Sequence, residues 1–442
     1  MPIFVSSITG RPARIGLSLA LSLAWPTPAQ AMQQPTDARS LLAPAPAPVA
    51  ALAIVNARVW TGDPRRPWAD AVLVRGDRIE AVGSSAEVKK RASGVRTIDA
   101  KGMMVAPGFI DAHVHFFDGG FALSSVQLRD AGTKAEFIRR IKAYAASVPA
   151  GTWILNGDWD HTTWGGDLPE RSWIDSVTPN NPVWINRLDG HMSLANSLAL
   201  RAAKIDRTTK DVDGGTIVRD AAGEPTGILK DNAMDLISAA RIPDPSLALS
   251  LRALDSAMTY VSARGVTSVD HMGGWGDLAI FERAHAMGAL RTRISAAVPL
   301  STWARLRDTV AARGRGDAWL RIGGLKGFVD GSLGSHTAAM LEPFSDAPDD
   351  RGLFVTPPND LYAWTLAADK AGLQVMVHAI GDSAIRTQLN VYERVEREDG
   401  ARDRRFRIEH AQHIAPSDIP RFAALGVIAS VISLVLAFAF RA

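Results

Sequence analysis

The sequence contains no cysteine among its 442 residues. This absence excludes disulfide bonds, cysteine nucleophiles and thiolate metal ligands together. Any metal ion bound by the chain must therefore be held by His, Asp, Glu or a modified Lys. Blocks of one charge are also lacking, because the formal net charge is +3 and no run of five or more basic residues occurs. Nothing in the charge pattern indicates a nucleic-acid partner.

The overall composition is that of a globular chain. Hydrophobic residues make up 47% of the sequence and charged residues 21%. A chain of this length can bury at least one large core. It can do so as one large domain with an accessory part, or as about two or three smaller domains.

The N-terminal segment has the three-part pattern of a secretory signal. Two arginines precede the apolar stretch 15–25, which is too short to span a bilayer. Ala29 and Ala31 then match the small-residue pattern of a cleavage site. The alternative is a buried N-terminal helix or strand. We interpret residues 1–31 as a cleaved signal peptide and residues 32–50 as a Pro/Ala linker, and we expect a periplasmic or secreted protein.

The segment 51–102 alternates apolar and polar side chains between polar turns. This period of two predicts strands, and the Gly76–Asp77 pair suits a hairpin turn. We expect a small partial β-sandwich built from this segment, which leads directly into a larger unit.

Beyond residue 103, short apolar strands alternate with helical stretches, which predicts an α/β fold with a parallel sheet and helices packed outside it. A closed (β/α) barrel needs eight strands. The sequence predicts an incomplete barrel over 103–431, with insertions near 117–180 and 201–245 and an apolar tail at 432–442. The predicted strands are 103–115, 181–187, 265–271, 320–330, 372–382, 405–413 and 426–433.

The sequence "GFIDAHVH" at 108–115 ends an apolar run with two histidines. Residues i and i+2 of a strand share a face, so His113 and His115 can bind one ion together. The pair alone is weak evidence for a metal site, since two polar residues on a solvated face give the same pattern. The apolar run before them favours a buried strand instead.

Two further histidines stand at later strand ends. His378 ends "LQVMVH" and His410 ends "FRIEH". Each alone suits a core or helix-capping histidine. In a parallel barrel, however, all carboxyl strand ends meet at one face. Imidazoles that converge there are the ligands of a zinc-type hydrolytic site.

A lysine also lies in an apolar strand, at Lys326 in "GGLKGFVD". One reading is a surface lysine whose stem packs on apolar neighbours. The other is a carboxylated lysine that bridges two metal ions. Asp330 follows four residues later, and we expect Ser332, Gly334 and Ser335 to form a loop at the mouth of the site.

The motifs together resemble the YtcJ-like branch of the amidohydrolase superfamily, also called amidohydrolase family 3, which includes N-substituted formamide deformylases. "GFIDAHVH" is similar to the first-strand signature of the superfamily. The resemblance extends from residue 52 to about 431. The other motifs that carry it are "RLDGHMSLANSLAL" (187–200), "GGTIVRDAAGEPTGILKDNAM" (214–234), "LKGFVDGSLGSHTAAM" (325–340), "VHAIGD" (377–382) and "IEHAQ" (408–412).

The resemblance implies a metal-dependent-hydrolase TIM-like barrel beside a small β-sandwich. It implies that His113 and His115 hold the more buried of two divalent metal ions, and that His378 and His410 hold the second. Lys326, if carboxylated, bridges the two. Zinc is the first expectation for such ligands, with Mn, Co, Ni or Fe as alternatives.

The resemblance also implies the reaction, which is hydrolysis of a non-peptide C–N bond in a small N-acyl compound. His191 and Asp330 are expected to contact the substrate. We interpret the aromatic and acidic stretch 157–167 as a loop over the pocket rather than a sugar site. Further expectations are a small-molecule substrate, no stable membrane span and possible assembly into a homo-oligomer.

The sequence departs from the family pattern after Asp418, because no Asp or Glu follows it. The superfamily uses an Asp at the end of the eighth strand to take a proton from the attacking water. The last residues, "VISLVLAFAFRA", are apolar, and about 14 such residues are too few for a spanning helix. We expect a prematurely ended reading frame with impaired hydrolysis. The alternative is a non-catalytic remnant that binds metal weakly or misfolds.

Overall fold

The structure is a computed structural model that describes residues 51–123, 125–237, 242 and 244–431. The predicted signal peptide (1–31), linker (32–50) and apolar tail (432–442) lie outside the described residues. Within the described part of the chain, no helix is long and apolar enough to cross a membrane.

Seven parallel strands form one sheet in which each strand pairs with the next along the chain, and this sheet is a nearly closed barrel. The predicted α/β barrel class is confirmed. We call the strands barrel strands one to seven in chain order. They are Phe109–Val114, Val266–Met272, Arg293–Pro299, Leu320–Phe328, Gln374–Ala379, Arg407–His410 and Ile428–Ser430.

Helices follow the barrel strands and cover the sheet from outside. Ser246 caps the helix after the insertion, because its side chain accepts a hydrogen bond from Leu249 N. The helix after strand five buries one face against the main core, including Ile385, Leu389 and Val395. These helices are Phe116–Ala122, Leu247–Ser262, Trp275–Ala286, Trp303–Arg313, Pro358–Lys370, Asp382–Asp399 and Ile419–Ala424.

One predicted barrel strand is wrong and another was missed. The stretch 181–187 contains Val183–Asn186, which lies in a separate sheet. There Val183 and Ile185 pack into one apolar cluster and Trp184 into another, so both faces are buried, as in a parallel barrel strand. The true third barrel strand, Arg293–Pro299, has exposed residues that interrupt its apolar pattern.

The separate five-stranded sheet belongs to a single insertion between barrel strands one and two, rather than to two insertions. The predicted strand–turn–strand at 214–234 is confirmed in it. Its strands are Ile154–Leu155, Val183–Asn186, Met192–Ala195, Gly215–Arg219 and Pro225–Asp231. Its helices are Lys134–Ser147, Arg171–Ile174 and Ser197–Ala203.

The N-terminal segment forms two small sheets. The expected hairpin is present, with Gly76 in the left-handed conformation at φ 60°. The four-stranded sheet contains Ala51–Val55, Ala71–Arg75, Arg78–Gly83 and Arg96–Asp99, beside the helix Ser85–Arg91. The three-stranded sheet contains Arg58–Trp60, Trp68–Ala69 and Met104–Val105.

Candidate metal centre

The carboxyl ends of the barrel strands surround a cavity of about 940 Å³. The residues predicted as metal ligands all line it, together with His191 from the insertion sheet. The predicted ligands are His113, His115, Lys326, His378 and His410. The structure therefore brings together side chains that are up to about 300 residues apart in sequence.

The imidazole rings lie in contact with one another. The ring centres of His378 and His410 are 4.6 Å apart, those of His113 and His410 are 4.8 Å apart, and those of His113 and His115 are 5.9 Å apart. Two imidazoles on one tetrahedral zinc ion have ring centres roughly 5 Å apart. The ring centres of neighbouring histidines are therefore about as far apart as those of two imidazoles on one ion.

The backbone at the end of barrel strand six is left-handed, with φ 70° at His410 and φ 41° at Ala411. Adjacent residues of a regular strand point to opposite faces. Here Glu409 is buried inside the barrel while His410 lines the cavity. The unusual backbone allows both to face the site, and such strain is concentrated at functional sites.

Two of the clustered histidines have one ring nitrogen engaged by an acceptor. His113 Nδ1 lies 2.6 Å from Glu409 Oε2. His378 Nε2 lies 2.9 Å from the carbonyl oxygen of Gly331. An acceptor on one nitrogen places the proton there and leaves the lone pair on the other nitrogen. This is how proteins orient metal-binding histidines.

Burial keeps the cluster neutral. It lowers the pKa of His113 and His378, and that of His410 to about 2. The pKa of His115 falls to about 3, although half of its side-chain surface faces the cavity, because the surrounding walls displace water. Neutral imidazoles have the free lone pair that a metal ion requires.

Lys326 is the least satisfied group in the cluster. It is 4% exposed, and its Nζ has no hydrogen-bond partner within the described residues. Its Nζ lies over the ring of Phe328, 4.5 Å from the ring centre. Burial lowers its pKa to about 8. A buried amine without a partner fits a position that carries a further group.

The donor set fits a metal site, but its atoms are not arranged as a finished one. Within the described residues, no group of three or more His, Asp or Glu side chains is placed to hold an ion. The imidazoles and Lys326 nevertheless line the same cavity. Nitrogen ligands of this kind suit zinc and neighbouring transition metals.

Asp330, the second expected substrate contact, is not among the residues that line the cavity. Asp330 is fully buried. Its carboxylate accepts hydrogen bonds from the backbone N–H groups of Ala339, Ile380 and Gly381. These bonds tie the loop after barrel strand four to strand five. Asp330 therefore organises the loop, while Ser332 and Gly334 of the expected mouth loop do line the cavity.

The sequence reading missed Arg187, which lines the cavity from the insertion. It is 6% exposed, and it forms ion pairs with Asp189 at 2.6 Å and with Asp160 at 2.9 Å. Asp158 also lines the cavity, so the stretch 157–167 contributes to the wall. A buried arginine at the end of an apolar strand was the available signal.

Comparisons with known proteins show the family to which the chain belongs. The sequence model of the amidohydrolase family matches residues 96–439. The chain is 43% identical to the protein LONG AFTER FAR-RED 3 of Arabidopsis thaliana, over 87% of this chain and 68% of that protein. It is 31% identical to the N-substituted formamide deformylase of Arthrobacter pascens, over 85% of this chain and 71% of the relative.

A solved structure is also similar. It is an uncharacterised metal-dependent hydrolase from Pyrococcus horikoshii, which is 27% identical and has a TM-score of 0.66. The match covers 86% of this chain and 74% of the other. The predicted YtcJ-like branch of the superfamily is confirmed. The family and the similar solved structure support a hydrolase that depends on a divalent metal. This chain belongs to the amidohydrolase family.

Proposed function

We propose that the chain hydrolyses a C–N bond of a small N-acyl compound. The observation that carries this proposal is the convergence of neutral histidines and a buried lysine on one cavity of about 940 Å³. Family membership supports the hydrolase class, and a cavity of this size accommodates a small organic molecule.

We propose zinc as the metal. His113 and His115 would hold one ion, and His378 and His410 a second. When bound, such ions supply Lewis acidity for hydrolysis. The neutral amine of Lys326 would add to the carbon of carbon dioxide, form an N–C bond and release a proton. The resulting carbamate would provide two oxygen ligands, and the depressed pKa of the amine supports this step because only the neutral amine is a nucleophile.

The cavity wall supports a substrate with an apolar part. Leu155, Trp184 and Ile242 from the insertion line it together with the histidines of the barrel. An apolar N-substituent can pack on these side chains while the amide group lies near the imidazoles. His191 also lines the cavity, with its ring centre 4.8 Å from that of His378, and is the proposed substrate contact.

The relative from Arthrobacter suggests the first compounds to test, because its name specifies N-substituted formamides. The full chain, loaded with zinc, should release amine from N-substituted formamides or from other small N-acyl amines. Zinc content is measured beside turnover, and the double variant His113→Ala with His115→Ala is the control that lacks both histidine ligands of the first ion. Zinc binding without release of any amine contradicts hydrolysis and favours the alternative function, metal binding alone.

Export and assembly are also proposals. The N-terminal pattern supports export, and the expected partner is the small-molecule substrate. Fractionation of expressing cells tests export. Light scattering of the purified chain tests the homo-oligomer, and a monomeric mass contradicts it.

A further inference from the structure

We propose that Glu409 is a positioning residue of the metal centre, which fixes the tautomer and the orientation of the His113 ring. Arg407 in turn holds the Glu409 carboxylate in place. The proposal rests on the proposed function, since it takes His113 as a metal ligand. It assigns a role to a side chain that lies beneath the cavity and does not line it.

The contact between Glu409 and His113 is short and buried. His113 Nδ1 lies 2.6 Å from Glu409 Oε2, and the Glu409 side chain is 0% exposed. An ionised carboxylate only accepts hydrogen bonds, so the imidazole proton lies on Nδ1. The lone pair is then on Nε2, which remains free for a metal ion.

The Glu409 carboxylate faces a charge of opposite sign, because Arg407 Nε lies 2.6 Å from its Oε1. An ion pair of this kind favours the ionised carboxylate, which only accepts hydrogen bonds. Glu409 therefore cannot turn the His113 ring by donating a proton to it.

Arg407 anchors the carboxylate to the barrel. Its Nη2 donates to Glu409 Oε2 at 3.1 Å, and its Nε lies 2.6 Å from Oε1 as an ion pair without hydrogen-bond geometry. The guanidinium also donates to Asp270 Oδ2 at 3.0 Å, to the carbonyl oxygen of Ala112 at 2.7 Å and to Ser430 Oγ at 3.1 Å. These partners lie on barrel strands one, two and seven.

The anchoring explains why the Glu409 side chain has little freedom. Arg407 and Glu409 are two residues apart on strand six, so both point into the barrel. The guanidinium reaches both edge strands of the sheet, strand one through Ala112 and strand seven through Ser430. Since strand one also bears His113, the same ion pair fixes the ring and the strand that presents it.

Glu409 could instead act only through its charge, as the partner of Arg407, and two substitutions separate this role from positioning of His113. Glu409→Gln keeps the side-chain length and one acceptor oxygen for His113 but removes the charge beside Arg407. Glu409→Asp keeps the charge but is too short to reach Nδ1. Positioning predicts that Asp harms zinc affinity more than Gln, whereas a structural charge role predicts the reverse order.

The test is zinc affinity of the full chain, measured without substrate by competition with a chromophoric chelator. Glu409→Asp should lower the affinity about 10-fold to 100-fold, the range seen for partners of metal-binding histidines. Glu409→Gln should lower it less. Asp270→Asn is the matched control, because Asp270 accepts from the same guanidinium and has no described contact with a histidine. It should change the affinity less than about threefold.

The proposal is overturned if Glu409→Asp binds zinc like the parent chain or if Glu409→Gln lowers the zinc affinity more than Glu409→Asp does. It is also overturned if Asp270→Asn lowers the affinity as much as Glu409→Asp. If Glu409→Asp does not fold, Glu409→Gln is compared in chains with His113 and with His113→Ala. Its effect on affinity must then disappear with His113, and an unchanged effect overturns the proposal. Failure of the proposed function has a different signature, which is zinc-loaded protein that releases no amine while the order of affinities still holds.

Discussion

His191 Nδ1 lies 2.7 Å from Asp231 Oδ1, across neighbouring antiparallel strands of the insertion sheet. The ring of His191 lies beside the histidine cluster, with its centre 4.8 Å from that of His378. Asp231 adopts φ 47° and ψ −127°, which is disfavoured for a residue with a side chain. Within the described residues its Oδ2 is buried without a hydrogen-bond partner. Strain of this kind is retained where the surrounding structure and the site require it.

The Asp231 carboxylate holds the proton of His191 on Nδ1, so Nε2 presents its lone pair to the cavity. Asp231→Asn introduces a donor that favours the other tautomer. We expect kcat/KM for amine release to fall about 100-fold, the lower end of the cost of losing one hydrogen bond to the reacting group, because His191 then presents the wrong tautomer to the substrate. Zinc content should stay unchanged. Asp220→Asn, in the exposed turn of the same hairpin, is the control, and equal losses in both variants would argue against a role of the pair in turnover.

Lys326 should make zinc binding depend on dissolved carbon dioxide. In bicarbonate-supplied buffer the chain should bind more zinc than in buffer depleted of carbon dioxide, because the carbamate adds oxygen ligands to the site. Lys326→Met has a similar volume and cannot be carboxylated, so its zinc content should be low and equal in both buffers. Equilibrium dialysis followed by metal analysis measures the zinc content in each buffer. A parent chain with the same zinc content in both buffers contradicts the carbamate.

The convergence of the histidines could be predicted because three of them end apolar strands. His113, His378 and His410 each close such a run, and parallel strands bring their carboxyl ends to one face. Glu409 and Asp231 could not be assigned in this way. The positions of these two side chains depend on the backbone with positive φ at His410 and at Asp231 itself. Tertiary contacts impose these conformations, and the periodicity of the sequence does not predict them.

The fold class was predicted correctly, but one barrel strand was misplaced and another was missed. The segment Val183–Asn186 is apolar on both faces because it separates two clusters of the insertion, and sequence cannot distinguish this from a barrel strand between sheet and helices. Arg293–Pro299 exposes Arg293 and Ser295, so its apolar pattern is broken although the strand lies inside the barrel sheet. In both cases the neighbouring elements determine burial.

Asp330 should matter for stability and not for substrate affinity. Asp330→Asn leaves fewer acceptor positions for the three backbone N–H groups that the carboxylate now satisfies. We expect the free energy of unfolding to fall by about 2–4 kcal/mol. Urea unfolding measures this loss. The KM of the folded, zinc-loaded Asp330→Asn variant should stay close to that of the parent. A large rise in KM with unchanged stability would support the substrate-binding role that the sequence predicts for Asp330.

The ion pair of Asp160 with Arg187 should make part of the stability depend on pH. Burial raises the pKa of Asp160, but hydrogen bonds from Thr162 and the charge of Arg187 outweigh it, so the folded pKa lies below 3.8. A carboxyl with a depressed pKa contributes stability above its unfolded pKa of about 3.9 and loses it as the pH falls through the folded value. Asp160→Asn should therefore cost about 1–2 kcal/mol at pH 7. In urea titrations at decreasing pH, the difference between variant and parent should shrink only below about pH 4. A difference that stays constant into this acidic range would mean that packing, and not the charge of Asp160, holds Arg187 at the cavity wall.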